Sequence, residues 1–267
     1  MFRQVRKITI DELIFDFEEL DIEFEIDLKD NLNSDIAKVY IYNLSKETKE
    51  KLKKNQGITI ETGYVGNSGI IYSGTVDKIF HEPDEFDIKT TLICTPSNNL
   101  FTNTLVNIQF NKGIKASEIL RKLETIIPYK IKILEIPYDV IYMSGKAFSH
   151  RLSSVIKIIC DDIRATGTFE KNNIIIKAPG KAYTSVIKVG SENGLISISK
   201  QDGEKVENKY IMETLIFPEL TLNQTIEVDS IYLPGKYIIR EINYIAKDIN
   251  TFIATSILEV MKLWVPI

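Results

Sequence analysis

The chain has 267 residues, of which 44% are hydrophobic and 26% are charged, with a formal net charge of -4. This length suffices for one large domain or two to three small domains with a buried core. The totals indicate no strongly basic surface that would bind nucleic acid, and no run approaches the roughly 18 apolar residues that cross a bilayer. Because residues 1–10 lack the apolar core of a secretion signal, we expect synthesis and assembly in the cytoplasm and no membrane insertion.

The N-terminal segment predicts β-strands. Residues 5–10 alternate, with Arg6, Ile8 and Ile10 on one side. Residues 22–28 alternate between apolar and acidic side chains, the pattern of a half-buried antiparallel strand. The acidic row, Glu23, Glu25 and Asp27, predicts a solvated face. In a barrel that lines a tube, the same row would instead face the lumen and repel a DNA backbone.

The stretch from residue 35 to 76 predicts a strand, a short helix, a strand, a tight turn and a third strand. Ser45 is a suitable N-cap for a helix over residues 45–54, and Gly57 follows where a left-handed residue is common. Residues 66–69 form the tight turn, because glycines adopt positive φ without strain. This segment resembles the first barrel of phage baseplate hub proteins, which join the tail tube to the spike. The matching residues are Tyr42, Asn43, Leu44, Ser45, Gly63, Tyr64, Gly69 and Gly74.

Residues 81–85 predict a turn, residues 86–94 a strand, and residues 105–110 the last strand of a small closed barrel. The pattern then changes. Residues 115–126 place apolar side chains at helical spacing, Pro128 ends that helix, and Ser149 is expected to cap a second helix ending near Gly167. Short strands at 130–134 and 140–143 and a hairpin at 168–176 complete a small α/β domain, which resembles the inserted domain of the hub family.

Beyond residue 180 the pattern predicts strands again, and this part resembles the second barrel of the hub family. The predicted fold is therefore a β-rich α+β protein with two tail-tube-like antiparallel β-barrels separated by a small α/β insert. The predicted domains are residues 1–111, 112–180 and 181–267. Trp264 is expected to pack on the last barrel or, alternatively, to dock on a neighbouring subunit.

The residues that could carry chemistry do not form a site. The motifs of zinc proteases, serine hydrolases, phosphate-binding loops and dithiols are missing from the sequence. We predict no catalytic, cofactor-binding or metal-ligating residues. Each group that was considered has a structural interpretation: exposed or capping histidines, buried reduced thiols, divergent carboxylates on one helix, and a basic surface helix. These groups are His81 and His150, Cys94 and Cys160, Asp161 and Asp162, and Lys46, Lys49, Lys51, Lys53 and Lys54.

The resemblance implies a non-enzymatic structural protein, namely the baseplate hub of a phage or of a phage-like particle such as a contractile bacteriocin. The family implies a homotrimer that adapts a sixfold tail tube to a threefold spike and lines a channel through which DNA passes without specific binding. The expected partners are the tube and spike proteins, the expected location is the virion tail, and no cofactor is implied. The alternatives are a cell-wall glycan hydrolase and a carbohydrate-binding β-module.

Overall fold

The computed structural model describes residues 3–29, 36–96, 104–127, 129–170, 173–178, 183–201, 209–248 and 250–260. The chain divides into two compact units. The sheet unit contains residues 1–30, 35–96 and 182–267, and the helical unit contains residues 31–34 and 97–181. Each unit has its own cluster of buried hydrophobic side chains. The β-rich character is confirmed, whereas the three predicted domains and the two-barrel arrangement stay predictions.

The sheet unit has two halves that are separated in sequence by the helical unit. The first half contains β1 (Gln4–Ile10), β2 (Leu13–Asp16), β3 (Ile22–Lys29), β4 (Ile36–Tyr42), α1 (Lys46–Lys51), β5 (Gly57–Tyr64), β6 (Asn67–Asp84) and β7 (Asp87–Pro96). The second half contains β15 (Tyr183–Gly190), a 3-10 helix (Ser191–Asn193), β16 (Leu195–Lys200), β17 (Lys209–Leu215), β18 (Gln224–Asp229), β19 (Gly235–Ala246) and β20 (Phe252–Val260).

The helical unit lies between these halves in the chain. It contains β8 (Leu105–Phe110), β9 (Ile114–Lys115), α2 (Ala116–Glu124), β10 (Lys130–Ile133), β11 (Ile141–Tyr142), β12 (Lys146–Arg151), α3 (Leu152–Asp162), β13 (Thr166–Glu170) and β14 (Asn173–Lys177). Both predicted helices and the predicted final hairpin are present. The predicted cap is wrong: Ser149 lies within β12, and Arg151 occupies the N-cap position of α3 without a capping side-chain hydrogen bond.

Alternation in the sequence determines which side of each strand is buried. In β3, Ile22, Phe24 and Ile26 are fully buried, while Glu23 and Glu25 lie on the opposite face. The predicted half-buried strand is therefore confirmed. Burying the apolar face of such strands removes apolar surface from water, which is the main favourable contribution to folding.

All strands of the sheet unit belong to one 13-stranded sheet. Its order is β16-β17-β20-β19-β3-β4-β7-β6-β5-β1-β2, and β18 pairs with β19 and with β15. The two halves meet where β3 pairs antiparallel with β19, from Phe24 opposite Ala246 to Lys29 opposite Glu241. Within the described residues this path is open, because β2 and β16 at its ends each pair with a single strand.

The two halves repeat one strand order. The first half runs β3-β4-β7-β6-β5 across the sheet, and the second half runs β16-β17-β20-β19-β18. The long strands β6 and β19 also carry bulges at equivalent places, between Val76 and Lys78 and between Ile239 and Glu241. The repeat is not complete, since β1 lies antiparallel to β5 whereas β15 lies parallel to β18. The sheet unit is thus built from an internal repeat.

The β6–β7 hairpin differs from the sequence prediction. The predicted turn at residues 81–85 is wrong over most of its length, because β6 continues to Asp84 and pairs with β7 from there back to Gly74. Pro83 lies in this segment, and proline is common in turns. A strand accepts proline when the missing N–H points to an unpaired edge, and here Pro83 has a strand partner only on the β7 side within the described residues.

A buried arginine holds the place where the two halves meet. Arg6 of β1 is fully buried on the same side of the strand as Ile8 and Ile10. Its guanidinium donates hydrogen bonds to the carbonyl oxygens of Ile22 (2.8 Å), Lys247 (3.1 Å) and Asp248 (2.6 Å). It also lies over two aromatic rings, 4.2 Å from the centroid of Phe17 and 5.2 Å from that of Phe252. One side chain thereby connects the start of β3 with the end of β19.

Candidate interaction surfaces

The histidines predicted to be structural lie far apart in the chain and in different units. His81 Nδ1 lies 3.0 Å from Thr90 Oγ1 across the β6–β7 hairpin, and burial together with Lys49 lowers the pKa of His81. His150 is an exposed side chain of β12. Within the residues that the structure describes, no three His, Cys, Asp or Glu side chains gather closely enough to hold a metal ion.

The adjacent carboxylates of α3 have separate partners. Asp161 accepts a hydrogen bond from Lys157 one turn earlier (3.0 Å), and Asp162 accepts from Tyr142 (2.8 Å) and Lys146 (2.9 Å). This geometry matches the angular separation expected of neighbouring helix positions. The two carboxylates do not converge on one point, so they do not form an acid–base pair.

The thiols are free and buried. Cys94 lies in β7 and Cys160 in α3, and burial raises the pKa of each thiol to about 12. A thiol with so high a pKa is protonated and unreactive at neutral pH. The prediction of two buried reduced cysteines is confirmed.

The basic segment around α1 is a surface helix, as predicted. Ser45 Oγ accepts a hydrogen bond from the N–H of Thr48 (3.1 Å), which confirms the predicted N-cap, and none of the residues of α1 is buried. Part of the positive charge is paired, since Lys51 contacts Glu47 at 2.7 Å and Lys54 contacts Asp77 at 3.0 Å. These exposed pairs contribute little to stability, but they reduce the positive charge available to a nucleic acid.

The side of the sheet opposite the core carries a mixed polar surface, which we call the polar face. Residues opposite each other on neighbouring strands share a face, so the register places one polar row across five strands. This row consists of Asp27, Asn243, Thr255, Glu213 and Ser197. Asn243 donates a hydrogen bond to Asp27, and Ser197 donates one to Glu213 (3.1 Å).

The predicted acidic row of β3 lies in this polar face and is balanced by neighbouring cations. Lys247 contacts Glu25 at 3.0 Å, Lys38 lies opposite Glu25 on β4, and Tyr42 donates a hydrogen bond to Glu23 at 3.3 Å. Burial raises the pKa of Glu23. The surface therefore carries charges of both signs rather than the purely negative wall that β3 alone predicts.

The tip of the β6–β7 hairpin and the strands next to it carry exposed apolar side chains. Phe86 is fully exposed, and Phe80 and Ile88 are also exposed. Asn43, which adopts the left-handed conformation with φ 59°, accepts a hydrogen bond from the N–H of Ile88 (3.1 Å) and donates to Asp87 (2.8 Å). The two Asn43 hydrogen bonds fix the chain at Asp87 and Ile88, and the neighbouring Phe86 is an exposed aromatic side chain of the kind that is enriched in protein contacts.

Among the strand edges that are open within the described residues are those of β16 and of the end of β6. Only β17 pairs with β16, and only β7 pairs with β6 beyond Lys78. An unpaired edge presents N–H and C=O groups that another chain can pair with. Trp264, the other residue that sequence analysis considered for docking, lies outside the described residues.

Sequence reasoning missed Arg6 and the internal repeat. The signal for Arg6 was its position on the apolar side of β1, in register with Ile8 and Ile10. The repeat leaves no comparable signal, because the two halves share strand order and bulge position rather than sequence.

No helix among the described residues is long and apolar enough to cross a membrane.

The fold is shared with solved tail proteins. No protein-family model matches the chain, and no curated protein matches it. Among solved structures, the chain is similar to the 43 kDa tail protein of prophage MuSo2 from Shewanella oneidensis, with a TM-score of 0.71, 10% identity and coverage of 97% of both chains. The chain has the fold of phage tail proteins. The resemblance found in the sequence is confirmed at this level.

Two further structures extend the likeness. The tail protein of Neisseria meningitidis MC58 aligns with a TM-score of 0.67 at 6% identity over 97% of both chains. A type VI secretion component of E. coli, described as similar to the T4 phage tail proteins gp27 and gp5, aligns with a TM-score of 0.62 at 9% identity. That alignment covers 96% of this chain and 77% of the other.

Proposed function

We propose that the protein is a structural baseplate hub of a phage or phage-like tail and not an enzyme. The observation that carries the proposal is the internal repeat of the sheet unit: β3-β4-β7-β6-β5 and β16-β17-β20-β19-β18 have the same order in one sheet. The fold shared with phage tail proteins supports it. In the particle, the protein belongs to the virion tail and is assembled in the host cytoplasm.

A repeated chain is suited to a change of symmetry. Three copies with two similar halves each present six similar modules to a sixfold tail tube and threefold symmetry to a trimeric spike. In this proposal each half acts as one tail-tube-like barrel and residues 112–180 act as the insert. The partners are two more copies of the chain, the tube protein and the spike protein.

The polar face is the surface that we assign to the central channel. Its charges are of both signs and partly paired, as Lys247 with Glu25 and Lys29 with Glu241 show. Such a surface has no concentrated positive field to hold a DNA backbone, so DNA passes without specific binding.

The test is the oligomeric state of the purified chain, alone and mixed with tail tube and spike proteins from the same phage or phage-like particle. We expect a trimer by mass photometry and a ring with a central opening by electron microscopy. A chain that stays monomeric in all mixtures contradicts the proposal. Clearing of bacterial cell walls by the purified protein would instead favour a hydrolase.

A further inference from the structure

We propose that copies of this chain join edge to edge, with β16 of one copy pairing antiparallel with the end of β6, residues 81–84, of the next copy. The pairing repeats the register by which β3 pairs with β19 inside one chain. This inference rests on the proposed function, because it takes an oligomer of identical copies as given. It adds which strands meet and which residues lie opposite each other.

The internal repeat supplies the first argument. In the second half of the sheet unit, β19 pairs with β18 up to Ile238, has its bulge at Arg240, and continues as residues 241–246 paired with β3. In the first half, β6 pairs with β5 up to Thr75, has its bulge at Asp77, and continues as residues 78–84. Each bulge follows the last of these pairs by two residues. Residues 78–83 of β6 are therefore the equivalent of residues 241–246 of β19.

The same comparison identifies the strand that should lie beside them. β3 and β4 form a hairpin in which β4 pairs with β7, and β16 and β17 form a pair in which β17 pairs with β20. β16 is therefore the equivalent of β3. Inside the chain, β3 of the first half pairs with β19 of the second half. The two remaining equivalents, β16 and the end of β6, each have a strand partner on one side only within the described residues.

The chemistry of β16 supports pairing with another strand. Its residues from Ile196 to Ser199 alternate isoleucine and serine, its one charged residue is the terminal Lys200, it contains no proline, and Ile196 is exposed. Soluble proteins usually protect edge strands with charges, prolines or a covering segment. Because β16 carries such protection only at Lys200, its exposed edge indicates a surface that is covered in the assembled protein.

The register follows from the equivalence of positions. Comparing the residues that pair with β4 and with β17 shows that Glu25 of β3 corresponds to Ser199 of β16, and Ile26 to Lys200. Comparing the residues that pair with β7 and with β20 shows that Ile245 of β19 corresponds to Glu82 of β6, and Tyr244 to His81. Since Glu25 lies opposite Ile245 and Ile26 opposite Tyr244, the junction places Ser199 opposite Glu82 and Lys200 opposite His81.

These opposing side chains are compatible. The Ser199 hydroxyl can donate to the Glu82 carboxylate on one face, and on the other face Lys200 comes opposite His81, whose neutral imidazole can accept a hydrogen bond from it. Ile198 comes opposite Pro83, which pairs two apolar surfaces. Pro83 has no N–H to donate, so the hydrogen-bonded ladder is short and ends there. The contact joins two different surfaces, so repeated use builds a ring if the rotation between copies closes.

Disulfide trapping tests the register. In the variant Glu82→Cys with Ser199→Cys, the two positions lie opposite each other at a Cα distance of about 4.5–5.5 Å, within the range that a disulfide accepts. The matched control is Lys78→Cys with Ser199→Cys. Lys78 is exposed on the same face of β6, but it lies four residues from Glu82, about 13 Å along the strand. All three positions are exposed, and the native cysteines are buried.

We expect the first variant to form covalent oligomers on mild oxidation, at least ten times more than the control by non-reducing gel electrophoresis. Mass photometry of the same samples separates the possible failures. If the oligomer forms but neither pair is trapped, or both are trapped equally, the junction is wrong and the hub proposal stands. If no oligomer forms even with tube and spike proteins present, both proposals are overturned.

Discussion

The two halves of the sheet unit have the same strand order, but their equivalent edges are in different states. β3 and β19 pair with each other, so neither edge is open there. The buried side chain of Arg6 stabilises this junction with hydrogen bonds to three carbonyl oxygens. Where β16 and the end of β6 occupy the equivalent positions, the edges lie at the surface. The difference shows how one topology can serve both as an internal joint that completes the fold and as an external joint between copies.

The largest effect is expected at the internal joint. Arg6→Met keeps much of the volume but leaves the carbonyl groups of Ile22, Lys247 and Asp248 without their donor. Because leaving buried polar groups unpaired is costly, we expect the free energy of unfolding to fall by about 3–5 kcal/mol. Chemical denaturation followed by circular dichroism measures it.

The control for this variant is Arg3→Met. Arg3 forms an ion pair with Glu18 in which both side chains are mostly exposed. Such a pair contributes at most about 1 kcal/mol. Equal losses in the two variants would show that Arg6 does not act as the connection described here.

The second prediction compares equivalent positions at the two joints. Phe24 of β3 is fully buried, and its equivalent in β16 is Ile198, which is partly buried. Phe24→Ala should lower the free energy of unfolding by about 3–5 kcal/mol, because it leaves a cavity in a core that cannot collapse fully. Ile198→Ala should cost the isolated chain about 1 kcal/mol or less.

Assembly should respond in the opposite way to stability. At concentrations near the dissociation constant, Ile198→Ala should reduce the oligomer fraction measured by mass photometry, since Ile198 lies in the proposed contact between copies. Ile126→Ala, at an exposed isoleucine of the helical unit, is the control and should leave that fraction unchanged. The proposal on β16 fails if the two variants assemble equally well.

The third prediction concerns the support of the β6–β7 tip. Asn43→Gly keeps the left-handed backbone but removes the side-chain hydrogen bonds to Ile88 and Asp87. We expect a loss of about 1 kcal/mol, seen as faster hydrogen exchange of the Ile88 amide. Asn43→Ala should cost a further 1 kcal/mol or so, because alanine is strained at this φ. If glycine and alanine behave alike, the backbone conformation is not what positions the tip.

The sequence predicted local structure well and the contacts between distant segments poorly. The alternation of β3 and the N-cap at Ser45 depend on neighbouring residues, and both predictions are confirmed. The turn at residues 81–85 was wrong because Pro83 is tolerated at an edge, and edges are not visible in a sequence. The pairing of β3 with β19 joins residues more than two hundred positions apart in the chain. No local pattern specifies such a pairing, so neither the single sheet nor its open edges could be predicted.

The smallest expected effect is the pH dependence that His81 adds to the first half. Burial and Lys49 lower the pKa of His81, so the unfolded chain binds more protons than the folded chain at mildly acidic pH. The neutral form is favoured on folding. Its contribution to stability is present above the unfolded pKa of about 6.5 and decreases as the pH falls below that value.

Replacing the imidazole isolates this contribution. His81→Gln cannot titrate and can still hydrogen-bond to Thr90. The difference in free energy of unfolding between the native chain and this variant should therefore shift against the native chain as the pH falls from 7.5 to about 5.5, and the shift should be small because solvent screens an exposed imidazole. Denaturation midpoints at several pH values measure that difference. If this difference in free energy of unfolding stays constant over the pH range, the imidazole has the same pKa in the folded and unfolded chains. His81 is then better hydrated than its contacts with Thr90 and Lys49 indicate.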